Sequence, residues 1–138
     1  MSFRPVYLDA SAIVKLVAVE RESAALLDHL ADWPDRLSSA LAEVEVHRAL
    51  WRVKAPRAVH DRADAVLSRL VLVRIDEPVL SLAASLKDPS LRALDAIHLA
   101  TALSIGDHPE AFITYDARQA AAASKRRLKV AHPGAARL

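Results

Sequence analysis

The chain has 138 residues, which is enough for one domain with a sizeable core and too few for two ordinary domains. It contains no cysteine and only two glycines, which excludes a thiol nucleophile, a thiolate zinc site, a disulfide and the glycine-rich loops that hold nucleotide phosphates. Its net charge is +2 and Arg outnumbers Lys by 14 to 5, which permits a nucleic-acid partner without requiring one. No apolar run approaches the roughly 18 residues of a membrane span and no secretory signal is evident, so we expect a cytoplasmic protein that does not associate with membranes.

In the first half of the chain, hydrophobic periodicity and proline positions predict two strands and four helices. The predicted elements are a strand from Val6 to Leu8, helices from Ala10 to Ala18 and from Glu20 to Asp32, a strand from Arg36 to Ser39, and helices from Ala40 to Lys54 and from Arg57 to Ser68. The apolar side of the second helix is predicted to carry Ala24, Leu27 and Leu30.

In the second half, strands and helices continue to alternate. The predicted elements are a strand from Leu70 to Ile75, a helix from Glu77 to Lys87, a helix from Leu91 or Asp95 to Ile105 with Gly106 as its C′ residue, a strand from Ala111 to Thr114, a helix from Asp116 to Arg126 and a strand from Leu128 to Val130. The run from Leu70 to Ile75 is almost entirely apolar, as expected of a strand covered on both faces. This alternation predicts an α/β sandwich whose parallel sheet places sites at the carboxyl ends of its strands.

Three aspartates lie where such a site would form. Asp9 and Asp116 each follow a predicted strand, and Asp95 is near the start of a helix. The simplest role for each is to cap a helix N-terminus. The segment around Asp95 is apolar nearly all round the helix, so we expect Asp95 to be buried on a face shared with Leu99 and Ala102, where a carboxylate is costly unless a cation meets it.

A fourth carboxylate is expected from the helix that begins near Ala40. Both Glu43 and Glu45 flank its apolar stripe, and helical periodicity does not choose between them. The simpler alternative for Glu45 is a surface ion pair with Arg48. Carboxylates that converge at one sheet edge repel one another unless a divalent cation neutralises them, and oxygen ligands without cysteine favour Mg²⁺ or Mn²⁺. Such a site suits phosphodiester hydrolysis, whereas an aspartyl phosphatase would need a second Asp at the position of Ser11.

Four blocks of the sequence carry these residues: VYLDASAIVKL at 6–16, EVHRAL at 45–50, LDAIHLA at 94–100 and FITYDAR at 112–118. In this order and over essentially the whole chain, the blocks resemble the signature blocks of PIN-domain ribonucleases, and more narrowly those of VapC toxins from bacterial VapBC toxin–antitoxin modules. The resemblance implies a single PIN domain over residues 1–138. Its implied fold is a PIN-like α/β/α sandwich with a central, mostly parallel sheet of about four to five short strands.

The resemblance also implies which residues form the site. It makes Asp9, Glu45, Asp95 and Asp116 the metal-binding carboxylates, and it favours Glu45 over Glu43. The hydroxyls of Ser11 and Thr114 match positions that orient water or the acidic side chains. His98 is expected to be a packing residue, because metal-dependent hydrolysis does not require an imidazole base.

The implied function is that of an endoribonuclease toxin dependent on Mg²⁺ or Mn²⁺. It would cleave structured RNA, tRNA or rRNA, through metal-activated water and so inhibit translation, and its implied partners are a VapB-type antitoxin and a second copy of the chain. Basic residues near the acids could contact phosphates or simply form ion pairs: Lys15, Arg48, Arg92 and Arg118. The alternative is a non-catalytic PIN-fold module that binds RNA or protein, although such a module has no physical reason to keep four mutually repelling carboxylates.

Overall fold

Strands and helices alternate along residues 4–138, the part of the chain that the computed structural model describes. Five strands and seven helices occur in these residues. They are β1 (Val6–Leu8), α1 (Ala10–Val17), α2 (Ser23–Leu30), β2 (Arg36–Ser39), α3 (Ala42–Arg52), α4 (Arg57–Ser68), β3 (Val71–Val73), α5 (Glu77–Ser85), α6 (Ala93–Leu103), β4 (Ala111–Ile113), α7 (Ala117–Lys125) and β5 (Val130–Ala131).

All neighbouring strands run parallel, in the order β3-β2-β1-β4-β5. The chain moves from β1 through β2 to β3 on one side and returns to β4 on the other side of β1. The connections therefore diverge between β1 and β4, where Leu8 pairs with Ile113. In open parallel sheets a crevice forms at the carboxyl ends of two such strands.

Helices cover both faces of the sheet. Because successive strand side chains point to opposite faces, Val6 and Leu8 pack in one core cluster with α1 to α4, whereas Tyr7 packs in the other with residues of α6 and α7. Phe112 of β4 belongs to the same cluster as Tyr7. The predicted α/β/α sandwich with a parallel sheet is thus confirmed.

The third strand differs from the prediction. It covers only Val71–Val73 instead of Leu70 to Ile75, and Val71 is 58% exposed. Val71 is exposed because β3 lies at the edge of the sheet and pairs with β2 alone. An apolar run of this kind does not reveal whether a strand is central or at the edge, so the prediction that both faces are covered was wrong.

Most helices differ from the prediction by one or two residues at their ends, and two differ in a further respect. In α2 the buried positions are Ser23, Leu26 and Leu30, and Leu27 is 57% exposed, so the predicted apolar face is rotated. The helix α6 ends at Leu103 and not at Ile105. Gly106 is not its C′ residue, because Ser104 ends the helix with its hydroxyl donating to the carbonyl oxygen of Thr101.

None of the helices in residues 4–138 combines the length and the apolar character that crossing a bilayer requires.

Candidate active site

One pocket of about 500 Å³ brings together all four predicted carboxylates, which come from four different parts of the chain. Asp9 follows β1, Glu45 lies on α3, Asp95 lies in the first turn of α6 and Asp116 precedes α7. The parallel sheet explains the convergence of Asp9 and Asp116, since β1 and β4 are neighbours and end at the same edge. Their roles as metal ligands remain a prediction.

Asp9 is almost completely buried, with 4% of its surface exposed. Its Oδ1 accepts hydrogen bonds from the Ala12 amide at 3.1 Å and from Ser11 Oγ at 2.6 Å, and its Oδ2 accepts one from Thr114 Oγ1 at 2.5 Å. Burial raises the pKa of Asp9, while the nearby His98 and these three hydrogen bonds lower it. Asp9 therefore caps the N-terminus of α1 and also lines the pocket. Capping a helix does not exclude a place in the candidate site.

The hydroxyls of Ser11 and Thr114 connect the start of α1 to the loop after β4. Ser11 Oγ accepts a hydrogen bond from the Tyr115 amide at 2.9 Å, and Thr114 Oγ1 accepts one from the Asp116 amide at 3.1 Å. Both hydroxyls also donate to Asp9. In this geometry they orient an acidic side chain, which is one of the two roles implied by the resemblance.

Asp95 is partly exposed, which corrects the expectation that it is buried. The reason is that the first turn of α6 faces the pocket, and its neighbour Leu94 is 47% exposed. Desolvation raises the pKa of Asp95, and the negative charges of Asp116 and Asp9 raise it further. The repulsion of Asp95 by Asp116 and Asp9 indicates that the pocket concentrates negative charge.

Glu45 lines the pocket, whereas Glu43 is exposed on the outer side of α3. The structure thus places Glu45, and not Glu43, in the pocket, and the role of Glu45 as a metal ligand stays a prediction. Oε1 of Glu45 lies 2.5 Å from Nε2 of His98, so Glu45 contacts this histidine and does not form the ion pair with Arg48 that was the simpler alternative.

His98 is 1% exposed, and both of its ring nitrogens are engaged. Its Nδ1 lies 2.7 Å from the hydroxyl oxygen of Tyr7, and its Nε2 contacts Glu45. Burial raises the pKa of Tyr7 well above its ordinary value. From its sequence position, His98 is predicted to pack, and Tyr7 is not among the predicted site residues. The sequence did contain a signal for Tyr7. It lies in a strand predicted to be buried, and a buried tyrosine hydroxyl needs a hydrogen-bond partner.

Arginines form one side of the pocket. Arg48 and Arg52, one helical turn apart on α3, are both exposed and both line it. Arg52 was missed, although its spacing from Arg48 and Glu45 was a signal. Lys15 lies instead 2.6 Å from a carboxylate oxygen of Glu22, as the ion-pair alternative predicted. Among the residues described, Arg92 and Arg118 are exposed but do not line the pocket.

The donor set of the pocket suits a hard cation. Four carboxylates supply the oxygen ligands that Mg²⁺ and Mn²⁺ prefer. Burial raises the pKa of Asp95, and the negative charges of Asp116 and Asp9 raise it further. Within residues 4–138, no three Asp, Glu or His side chains already lie close enough together to hold a metal ion. Asp9 and Glu45 are instead hydrogen-bonded to protein groups. The residues thus fit the cation by chemistry, and binding would bring the partly exposed Asp95 and the exposed Asp116 closer to these two held carboxylates.

Comparison with known proteins adds a second line of information. Residues 6–125 match the PIN domain family. The chain is 44% identical over 136 residues to the Ribonuclease VapC35 of Mycobacterium tuberculosis, covering 96% of this chain and 99% of that protein. The toxin–antitoxin complex from Klebsiella pneumoniae contains a chain of similar fold, with a TM-score of 0.65, 22% identity, and coverage of 83% of this chain and 88% of that one.

A second solved structure has the same fold. It is that of Mycobacterium tuberculosis VapC20, described as a sarcin–ricin loop cleaving toxin, with a TM-score of 0.69 and 17% identity, covering 85% of this chain and 94% of the other. At this identity the likeness concerns the fold.

Proposed function

Because this chain belongs to the VapC-type ribonucleases of the PIN-domain family, we propose that it is a Mg²⁺- or Mn²⁺-dependent endoribonuclease, the toxin of a type II toxin–antitoxin system. The observation that carries the proposal is the convergence of four carboxylates from separate elements on one pocket beside two arginines. We propose residues 1–138 as its single PIN domain.

Asp9, Glu45, Asp95 and Asp116 are the residues that would hold the cation. When bound, a divalent cation neutralises the carboxylates, activates water and stabilises the leaving oxygen of a phosphodiester. The chain itself orients the ligands: Ser11 and Thr114 hold Asp9, and Asp116 is anchored by the amide of Gln119, 3.0 Å from its Oδ1. Burial raises the pKa of Asp9, and burial together with the charges of Asp116 and Asp9 raises the pKa of Asp95. A bound cation would favour the ionised form of both carboxylates.

Structured RNA, either tRNA or rRNA, is the proposed substrate, and its cleavage would inhibit translation. Arg48 and Arg52 can pair with phosphates of an RNA bound at the pocket, since guanidinium groups bind phosphate with two parallel hydrogen bonds. The description of VapC20 as a toxin that cleaves the sarcin–ricin loop supports this class of substrate. We propose the cytoplasm as the place of action, where such RNA is found.

The proposed protein partners are a VapB-type antitoxin and a second copy of the chain. The toxin–antitoxin complex of similar fold supports the first. Apolar side chains exposed on α3 support contact with another protein, since Val44 and Trp51 are each 59% exposed. A basic side chain of the antitoxin would suit the negative charge of the pocket.

Cleavage of RNA by the purified chain, freed of antitoxin, tests the function. Total RNA is incubated with Mg²⁺ and the wild-type chain, with and without EDTA, and in parallel with Asp9→Asn and Glu43→Gln. Asparagine keeps the helix cap, and Glu43 lies outside the pocket. We expect cleavage by the wild type and Glu43→Gln only, and only without EDTA.

Persistent cleavage in EDTA or by Asp9→Asn would overturn metal-dependent catalysis by this pocket. RNA binding without any cleavage would favour the non-catalytic binding module. Growth arrest on expression, relieved by Asp95→Asn, tests the toxin role separately.

A further inference from the structure

The Glu45 carboxylate contacts a fully buried histidine, which in turn contacts a fully buried tyrosine. His98, 1% exposed, contacts the carboxylate at 2.5 Å, and Tyr7, 0% exposed, contacts His98 from the other side at 2.7 Å. These three residues belong to α3, α6 and β1. The hydrogen bonds therefore connect the pocket to the centre of the sheet.

Tyr7 and His98 are closely packed against their neighbours. The ring of Tyr7 is stacked on Phe112 of the neighbouring strand, with centroids 5.2 Å apart and planes 6° from parallel. The ring of His98 meets Tyr7 edge-on, at 78°. Since all three rings are buried between the sheet and α6, rotation of the imidazole would disrupt close packing.

The direction of the outer hydrogen bond follows from the chemistry of its partners. An ionised carboxylate only accepts hydrogen bonds, so Nε2 of His98 carries the proton. This holds for a neutral imidazole protonated at Nε2 and equally for an imidazolium. The histidine thus engages Oε1 of Glu45 in either charge state and leaves Oε2 as the oxygen without this bond.

We propose that His98 is a positioning residue of the pocket, which fixes the orientation in which the Glu45 carboxylate meets a divalent cation. The inference rests on the proposed function. A free glutamate side chain loses conformational entropy when it is ordered. If His98 orders Glu45 before the cation binds, that cost is removed from binding.

The placement of His98 argues against a packing role alone. It lies one helical turn after Asp95, so the same face of α6 supplies one pocket carboxylate and the group that orients another. A histidine used only for packing could direct its outer nitrogen to a backbone carbonyl. Here that nitrogen contacts a side chain of the pocket.

Titration with Mn²⁺ alone, without RNA, tests the proposal. The affinity for Mn²⁺ is measured by calorimetry for the wild type, His98→Asn and His98→Gln. Partners that orient metal ligands typically contribute about 10–100-fold to metal affinity, and we expect a loss of that size in His98→Asn, whose short amide does not reach Glu45. His98→Gln, whose amide nitrogen extends nearly as far as Nε2, is expected to recover part of it.

A double-mutant cycle separates positioning from general packing. In a Glu45→Gln background, His98→Asn should lower the Mn²⁺ affinity no further, because the carboxylate it orients is gone. Tyr7→Phe keeps the ring and removes only the hydroxyl, and it should give a smaller loss than His98→Asn. If His98→Asn does not fold, the Tyr7→Phe and His98→Gln variants supply the same comparison.

The outcomes distinguish the two proposals. A wild-type chain that does not bind Mn²⁺ overturns the proposed function and this inference with it. A wild-type chain that binds Mn²⁺, with variants that unfold at lower temperature but bind Mn²⁺ as tightly as the wild type, overturns only the positioning role. Equal losses from His98→Asn in the presence and absence of Glu45 would also overturn it.

Discussion

Thr114 Oγ1 lies 2.5 Å from Oδ2 of Asp9, although the two residues are 105 positions apart in the sequence. They meet because each follows the last residue of its strand, and those last residues, Leu8 and Ile113, are paired in the sheet. This hydrogen bond compensates a carboxylate that is 4% exposed. The acidic pocket therefore depends on the pairing of β1 with β4.

Replacing Thr114 with valine should destabilise the fold. The change keeps the shape of the side chain but leaves Oδ2 of Asp9 without this partner, and an unsatisfied buried group costs about 1–3 kcal/mol. Urea unfolding at neutral pH measures the free energy of unfolding of each variant. Ser85→Ala, which removes an exposed hydroxyl bonded to its own helix, should cost less than about 0.5 kcal/mol. Equal effects of the two variants would contradict the assigned role.

The contribution of Asp95 to stability should fall as pH rises through its titration. Burial and the charges of Asp116 and Asp9 raise its pKa in the folded chain. The folded chain then binds the proton more tightly than the unfolded chain, so ionisation above about pH 4 lowers the free energy of unfolding. Interaction of a carboxylate with the N-terminus of α6 acts in the opposite direction, but the raised pKa shows that repulsion and burial dominate.

Asp95→Asn in EDTA is therefore expected to be more stable than the wild type at pH 7, with a difference that vanishes below about pH 4. Urea unfolding at a series of pH values measures this. The exposed Asp107→Asn serves as the control and should show no such trend. An Asp95→Asn variant that is less stable than the wild type at pH 7 would refute the prediction.

Mn²⁺ should raise the melting temperature of the wild-type chain and of Glu43→Gln, and it should do so much less for Glu45→Gln. A ligand that binds only the folded chain adds about 2.7 kcal/mol of stability at 100 times its Kd. The two glutamates lie on the same helix, but Glu45 alone lines the pocket, so the pair is a matched comparison. A loss confined to Glu43→Gln would show that the wrong glutamate was assigned.

Arg52→Gln should weaken RNA binding and reduce its dependence on salt. With cleavage blocked by Asp9→Asn, the slope of log K against log salt should fall in magnitude by about 0.7–0.9 for one lost phosphate contact. Filter binding at several salt concentrations measures the slope. Arg69→Gln removes an exposed arginine outside the pocket and should leave the slope unchanged. Equal slopes for Asp9→Asn with and without Arg52→Gln would exclude the phosphate contact.

The sequence by itself determined the layer architecture and the local setting of the aspartates. Alternating strand and helix patterns predicted the sandwich, and α4 has the predicted ends at Arg57 and Ser68. Asp9 and Asp116 were recognised at junctions between a strand and a helix, and both cap the helix that follows. These features depend on neighbours within a few residues, because capping and periodicity are local interactions.

The tertiary structure decided everything that depends on contacts between distant parts of the chain. It placed β3 at the sheet edge, turned Glu45 and not Glu43 toward the pocket, and left Asp95 partly exposed. It also joined Tyr7, His98 and Glu45 across 91 and 53 sequence positions. Periodicity shows that a helix has an apolar side but not which neighbour that side meets, so only the packed fold determines which carboxylate is oriented and by which residue.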